Sequence, residues 1–176
     1  MDSAALYLER NGSSGVDEYD ASHAQIIDCK FVGGQYGIQD VGGCAHVWVK
    51  NNQFYAMSTA AIINTSTAQA LPLNWHIEGN TFPSDDTADF GNATHIDMPL
   101  NGGVVIGNFF GLVRSTAKYV DLTGGQAGNI VAYNVMAGNY ATDDYVAVAG
   151  DYWYQNACKV TATTAPDGVS ILVPAA

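Results

Sequence analysis

The sequence predicts an all-β fold: a single-stranded right-handed parallel β-helix of about six coils, in one domain that spans residues 1–176. Three observations predict it. A tripeptide that begins with Asn in all copies but the first recurs along the chain. An apolar residue stands three positions before each copy, and a second strand-like segment follows each copy. Repeats of this length are typical of solenoids, in which each repeat supplies one coil.

The recurring tripeptides set the register. Each has Asn, or Cys in the first copy, and a large apolar residue two positions later. They are Cys29-Lys30-Phe31, Asn52-Gln53-Phe54, Asn80-Thr81-Phe82, Asn108-Phe109-Phe110, Asn134-Val135-Met136 and Asn156-Ala157-Cys158. The differences between their first residue numbers are 23, 28, 28, 26 and 22. The third residues of the tripeptides form one predicted buried column.

A second buried column is predicted from the apolar residues that precede the tripeptides. These are Ile26, Val49, Ile77, Val105, Val131 and Trp153. One repeat is too small to bury its own apolar face, so the columns are buried only when the repeats stack. The Asn residues tolerate a left-handed bend, and their amides can bond the Asn one coil away. Cys29 predicts that this ladder ends in the first coil.

The second strand of each repeat shows alternating or continuous apolar residues, which are typical of half-buried strands. The segments are Tyr36-Gly37-Ile38, Ala61-Ile62-Ile63, His95-Ile96-Asp97-Met98, Tyr119-Val120-Asp121-Leu122, Tyr145-Val146-Ala147-Val148 and Val169-Ser170-Ile171-Leu172-Val173. Glycine pairs such as Gly33-Gly34 and Gly124-Gly125 between strands are turn signals.

The pattern Ile/Val-x-x-Asn-x-Phe, followed by a Gly-Ile-like strand, resembles the pectate-lyase-like family of right-handed β-helices, in particular the phage tailspike and tail-fibre type. The resemblance covers residues 24–173. It implies the fold and leaves the activity open, because the family includes pectate lyases, polygalacturonases, uronan epimerases and phage tailspikes.

Composition narrows the classes of partner. The formal net charge is −11, from 6 basic and 17 acidic residues, so the surface repels phosphate backbones and we expect no nucleic-acid partner. No apolar run approaches the roughly 20 residues of a membrane span, and no signal peptide follows Met1. We expect Cys29, Cys44 and Cys158 to be buried free thiols.

The residues on either side of the column that runs from Ile26 to Trp153 are predicted to face outward. Val104, Ile106, Ile130 and Ala132 would form an apolar patch, which we expect sister subunits to cover in a homotrimer. The aromatic residues of the same sheet offer the alternative of stacking on sugar rings. They are Trp48, His76, Tyr152 and Tyr154.

The second strands predict another outward set. Asp97 and Asp121 occupy matching places in adjacent coils, so their carboxylates would lie about 5 Å apart, as in a retaining glycosidase. Two such charges raise the pKa of one partner, which then serves as the acid. His95, Tyr119 and Tyr145 would hold the sugar, and a solvated face carrying ordinary acids is the alternative.

Two further sites rest on short patterns. His76 and Glu78, two apart on one strand, are a candidate acid–base pair. Asp85, Asp86 and Asp89, in an oxygen-rich loop, are a weak candidate calcium site without the ligand spacing of a dedicated one.

Three functions follow from these observations. The first is a component of a phage tailspike, tail fibre or similar surface assembly that recognises cell-surface polysaccharide, located in a virion or outside the cell. The second is a polysaccharide hydrolase or lyase that uses Asp97 and Asp121. The third is a structural spacer. The chain opens in mid-coil and ends on Val173-Pro174-Ala175-Ala176 without an evident cap, so we expect it to be part of something longer or to have its ends covered by partner chains.

Overall fold

A computed structural model of the chain describes residues 4–9, 21–65, 71–83, 94–111, 118–136, 145–146 and 148–158. Within these ranges every regular element is a β-strand, and all strand pairs are parallel. The predicted fold class, a parallel β-solenoid, is therefore confirmed. The same residues include no helix of the length and apolarity that a membrane span requires.

The described strands form three sheets, each with six strands. The β1 sheet contains β1 (Ala4–Leu8), β4 (Tyr36–Asp40), β7 (Ala60–Asn64), β10 (Thr94–Asp97), β13 (Val120–Asp121) and β16 (Tyr145–Val146). The β2 sheet contains β2 (Gln25–Ile27), β5 (Trp48–Lys50), β8 (His76–Glu78), β11 (Val104–Ile106), β14 (Ile130–Ala132) and β17 (Tyr152–Tyr154). The β3 sheet contains β3 (Lys30–Val32), β6 (Gln53–Tyr55), β9 (Thr81–Phe82), β12 (Phe109–Phe110), β15 (Val135–Met136) and β18 (Ala157–Cys158).

The number of coils differs from the expected six. The solenoid shows about four turns. Each described strand pairs with its counterparts in the neighbouring coils rather than with the next strand along the chain, as in a solenoid.

Both predicted inward columns are confirmed where the structure describes them. Ile26 is 6% exposed, and the five residues stacked on it, from Val49 to Trp153, are fully buried. The column of the third tripeptide residues begins as a stack of aromatic rings: the centroids of Phe31, Phe54, Phe82 and Phe110 follow one another at 4.8, 5.1 and 4.9 Å. Parallel register places identical positions directly above one another, so like side chains pack on like. The Cys158 side chain lies outside the described part.

The predicted Asn ladder is also confirmed. Each side-chain Nδ2 donates to the Oδ1 of the Asn in the next coil, at 3.1, 3.0, 3.0 and 2.9 Å from Asn52 to Asn156. At its other end the ladder stops at Cys29, whose backbone N–H donates to Asn52 Oδ1 at 2.9 Å. Cys29 has no amide with which to continue the series.

The left-handed bend lies one residue earlier than expected. The Asn residues of the ladder have ordinary backbone angles, and the positive φ belongs to the residue before each one: Asp28, Asn51, Gly79, Gly107, Tyr133 and Gln155. The expectation that the ladder Asn makes the bend was wrong. A bend just before the Asn turns its side chain into the solenoid, where the amide can bond two coils at once.

Two cysteines can be compared with the prediction. Cys44 is buried, as expected, but Cys29 is exposed. Cys29 lies at the corner between β2 and β3, where its thiol points out and donates to the Ile27 carbonyl at 3.3 Å.

Candidate functional site

The outer face of the β2 sheet carries the aromatic residues singled out in the sequence. In each three-residue strand the central side chain is buried, so the residues on both sides of it face outward. Trp48 and Tyr152 are 39% and 62% exposed, and His76 and Tyr154 are half-buried. The structure therefore places all four on one face, as predicted.

Trp48 and His76 form the best-defined feature of this face. They are register partners on β5 and β8, and their rings stack at a centroid distance of 4.4 Å with an angle of 4° between the planes. Parallel pairing in register holds the two rings flat on each other. The stack covers one face of each ring, so the two side chains present mainly their ring edges to solvent.

The charges on the face cancel. Lys50 and Glu78 are the next pair of register partners, and their side chains form an ion pair with Nζ 3.2 Å from Oε1. Both are partly exposed, so the pair contributes little to stability. The other outward residues of the β2 sheet are uncharged. Because His76 stacks on Trp48 and Glu78 binds Lys50, the structure gives the two members of the predicted acid–base pair different partners.

The apolar patch is smaller than predicted. Val104, Ile106 and Ile130 are half-buried on the outer face, but Ala132 is fully buried. Its methyl group is short, and its register partners on either side are the larger Ile106 and Tyr154. The expectation that Ala132 contributes to an exposed patch was wrong.

Asp97 and Asp121 are register partners on β10 and β13. Neighbouring strands lie about 4.8 Å apart, so the two half-buried carboxyl groups occupy adjacent positions on one column. Burial, and secondly the charge of Asp121, raise the pKa of Asp97. Asp121 Oδ1 accepts the Thr123 N–H at 2.9 Å. The pair thus combines a carboxyl with a raised pKa and a carboxylate that accepts a backbone hydrogen bond.

Two of the side chains expected to flank this pair are buried. His95 is 8% exposed and Tyr119 is 1% exposed, and both pack beside Phe110 in the core. The expectation that these two side chains face outward was wrong. They lie where the β1 sheet meets the β3 sheet, and the inward column of the β1 sheet continues through Ile96 and Val120, one position later.

Burial has a chemical consequence for His95. Loss of solvation lowers its pKa to about 4, although the hydrogen bond from Nε2 to the Gly111 carbonyl at 3.3 Å opposes that shift. His95 is therefore a neutral core residue at physiological pH.

Tyr145 is displaced from its expected place. The sequence pattern placed it beside Tyr119, but its register partner is Val120. The backbone register of β16 therefore differs by one residue from the alignment that the sequence pattern predicts.

Several surface features were not anticipated. Tyr133, Phe109 and Val135 are 52%, 43% and 44% exposed. Phe109 and Val135 are the outward neighbours of the inward Phe110 and Met136, so alternation within the tripeptides could have revealed them. Nothing in the pattern singled out Tyr133, because it lies at a corner.

A second polar ladder was also missed. Asn129 donates its side-chain Nδ2–H and its backbone N–H to Asp151 Oδ1 at 2.9 and 3.0 Å, and its own Oδ1 accepts the Gly103 N–H at 2.8 Å. The Val148 N–H donates to the other carboxylate oxygen of Asp151 at 2.9 Å. The signal was a recurring polar residue just before the first strand of the last coils.

The candidate calcium residues Asp85, Asp86 and Asp89 lie outside the described residues. Among those that are described, no group of three or more His, Cys, Asp or Glu side chains could hold a metal ion.

The fold and the face define the class of protein as a parallel β-solenoid with an aromatic outer sheet. Comparison with known proteins adds no narrower assignment: no family model, no curated protein and no solved structure matches the chain.

Proposed function

We propose that the protein recognises polysaccharide through the outer face of the β2 sheet, as the β-helical component of a tailspike, tail fibre or similar surface assembly. The observation that carries the proposal is the solvent-exposed stack of Trp48 on His76. Exposed aromatic side chains pack against the apolar C–H groups of sugar rings, because such groups lose little hydration on contact.

The dimensions of the sheet favour an extended ligand. Trp48 and Tyr152 lie at the same strand position, four strand steps apart, which corresponds to roughly 19 Å. The intervening residues of that column are His76, Val104 and Ile130. A strand step is comparable with the length of one pyranose unit, so a glycan chain can contact successive strands along the solenoid axis.

The electrostatics favour an uncharged glycan. Among the described residues on the outer face of the β2 sheet, Lys50 is the only lysine or arginine, and it is paired with Glu78. The chain as a whole carries a formal net charge of −11, which repels polyanions. We therefore infer that neutral polysaccharides bind more tightly than polyuronates.

Affinity electrophoresis tests this proposal. The protein migrates through native gels that contain a neutral polysaccharide, such as dextran, galactomannan or xyloglucan, or an anionic one, such as alginate or polygalacturonate. We expect retardation by at least one neutral polymer, and an affinity about 10-fold lower in Trp48→Ala, equivalent to about 1.4 kcal/mol.

Tyr55→Ala is the matched control, because Tyr55 is 40% exposed, like Trp48, but lies on the β3 sheet. We expect it to bind as the parent chain does. Retardation by no polymer of the panel would contradict the proposal and favour a structural spacer. Equal losses in Trp48→Ala and Tyr55→Ala would place binding on another surface.

A polysaccharide hydrolase is the second candidate, and the adjacent Asp97 and Asp121 support it. The raised pKa of Asp97 suits a general acid, and Asp121 would act as the nucleophile. Incubation with the same polymers, followed by measurement of new reducing ends, tests this candidate; absorbance of unsaturated uronates tests for a lyase. If the chain binds the polymers but releases neither reducing ends nor unsaturated uronates, the enzyme candidate is excluded and polysaccharide recognition remains the proposed function.

A further inference from the structure

Tyr133 occupies a backbone conformation that its side chain disfavours. Its φ is +55°, in the left-handed region where a Cβ crowds the following carbonyl oxygen. In the two preceding coils, the same corner position is occupied by Gly107 and Gly79. In the first two coils it is occupied by Asn51 and Asp28. Gly, Asn and Asp are the residues that accept this conformation most readily. A tyrosine at this position therefore lowers the folding stability relative to Gly, Asn or Asp.

The Tyr133 side chain does not compensate by burial, because it is 52% exposed. It touches Tyr154: the two rings meet edge to face, with centroids 5.5 Å apart and an angle of 83° between their planes. Tyr154 is half-buried, and Tyr152, two residues earlier on the same outward face, is 62% exposed. Tyr133 and Tyr154 thus meet at the corner where the outer face of the β2 sheet ends, and Tyr152 lies at the start of the same strand as Tyr154.

Residues that a fold retains in strained backbone conformations are concentrated at binding and active sites. We propose that Tyr133 is a specificity-determining sugar contact, which forms with Tyr152 and Tyr154 a terminal subsite for one uncharged pyranose ring. The proposal rests on the function proposed above. Tyr152 lies in the same outward column as Trp48, and the Tyr133 ring lies at the corner. Tyr152 and Tyr133 therefore contact different sides of the pyranose ring at the end of a glycan that lies on the sheet.

The surroundings of the corner agree with an uncharged ligand. Phe109 and Val135 are register partners on β12 and β15, exposed beyond Tyr133 on the β3 sheet, and neither carries charge. The ion pair of Lys50 and Glu78 lies on β5 and β8, which are separated from β17 by β11 and β14. Discrimination at this corner would therefore depend on shape and stacking rather than on ionic attraction.

The test uses two substitutions to Asn in the full chain. Tyr133→Asn and Gln155→Asn both place a residue that tolerates positive φ at equivalent positions of adjacent coils, because Gln155 has a φ of +53° and is exposed. We expect both to raise the melting temperature. Only Tyr133→Asn should weaken binding of the retained neutral polysaccharide, by about 3- to 10-fold in affinity electrophoresis. A purely structural role for Tyr133 would change stability and leave affinity unchanged.

The outcomes separate the two proposals. Retardation of the parent chain by no polymer would remove the proposed function and this subsite with it. If Trp48→Ala loses affinity and Tyr133→Asn does not, the proposed subsite is wrong, and the proposed binding of polysaccharide at Trp48 is retained. A lower melting temperature in Tyr133→Asn would overturn the subsite as well, because the tyrosine would then be retained for packing.

Discussion

Asn108 joins two coils through a single oxygen atom. Its Oδ1 accepts both the backbone N–H of Asn80, at 2.9 Å, and the side-chain Nδ2–H of Asn80, at 3.0 Å. Its own Nδ2 donates to the Ile77 carbonyl at 2.9 Å. Both Asn residues are 1% exposed, so no water replaces these bonds if they are lost.

Asn108→Ala should therefore destabilise the solenoid strongly. It leaves two donors of Asn80 and one acceptor without partners in the core, and we expect a loss of about 3 kcal/mol in the free energy of unfolding. Asn156→Ala is the control, since Asn156 has the same role at a half-exposed end of the ladder. Denaturant titration compares the variants, and equal losses would show that burial does not set the strength of the ladder.

The buried His95 should make stability depend on pH. The fold keeps the imidazole neutral down to a pKa of about 4, whereas the unfolded chain binds the proton below its ordinary value of 6.5. The stability contribution of neutral His95 is thus present above pH 6.5 and is lost as the pH falls towards 4. Over that window we expect the parent chain to lose about 3 kcal/mol more than His95→Phe in urea titrations. Parallel pH profiles of the two proteins would contradict the assignment.

Asp97 should affect stability in the opposite direction. Burial and Asp121 raise its folded pKa, so its contribution is favourable at low pH and is lost as the pH rises through the unfolded value of 3.8 and above it. Asp97→Asn should raise the melting temperature at pH 7 more than at pH 3. Asp28→Asn, at an exposed carboxylate with positive φ, should change it little. If the chain hydrolyses a polysaccharide, Asp97→Asn should also abolish the release of reducing ends.

Two glycines should respond to alanine for different reasons. A Cβ on Gly37 would lie 2.6 Å from both the Ala61 carbonyl oxygen and the Phe54 ring, whereas a Cβ on Gly107 meets nothing within 4 Å. Gly37→Ala should cost about 1–3 kcal/mol through overpacking. Gly107→Ala should cost about 1 kcal/mol through its φ of +65° alone. Denaturant titration of both variants checks the order, and a larger loss in Gly107→Ala would contradict it.

The homotrimer expected from the sequence would cover part of the face proposed to bind glycan, and light scattering tests it. If the patch of Val104, Ile106 and Ile130 packs against sister subunits, the mass in solution should be three times the 18.6 kDa of one chain. Ile130→Asp should then dissociate the trimer, while Val32→Asp, at a 59% exposed position on the β3 sheet, should not. A stable parent monomer would exclude the trimer and leave the β2 sheet open to a glycan.

The sequence alone determined the solenoid, its inward columns and its Asn ladder. The physical reason is that stacking repeats a single local environment. Each coil must place an apolar residue at the position of Val49 and an amide at the position of Asn52, so these requirements reappear as a period in the chain.

Only the tertiary structure decided what happens at the corners. Alternation within a strand predicts two faces, but a side chain at a bend can turn either way. His95 and Tyr119 consequently entered the core although alternation placed them outside. Register decided the neighbours of Tyr145, because a slip of one residue changes its register partner. The face of Trp48 on His76 and the corner of Tyr133 on Tyr154 exist only because distant coils meet in register, and no local pattern records that meeting.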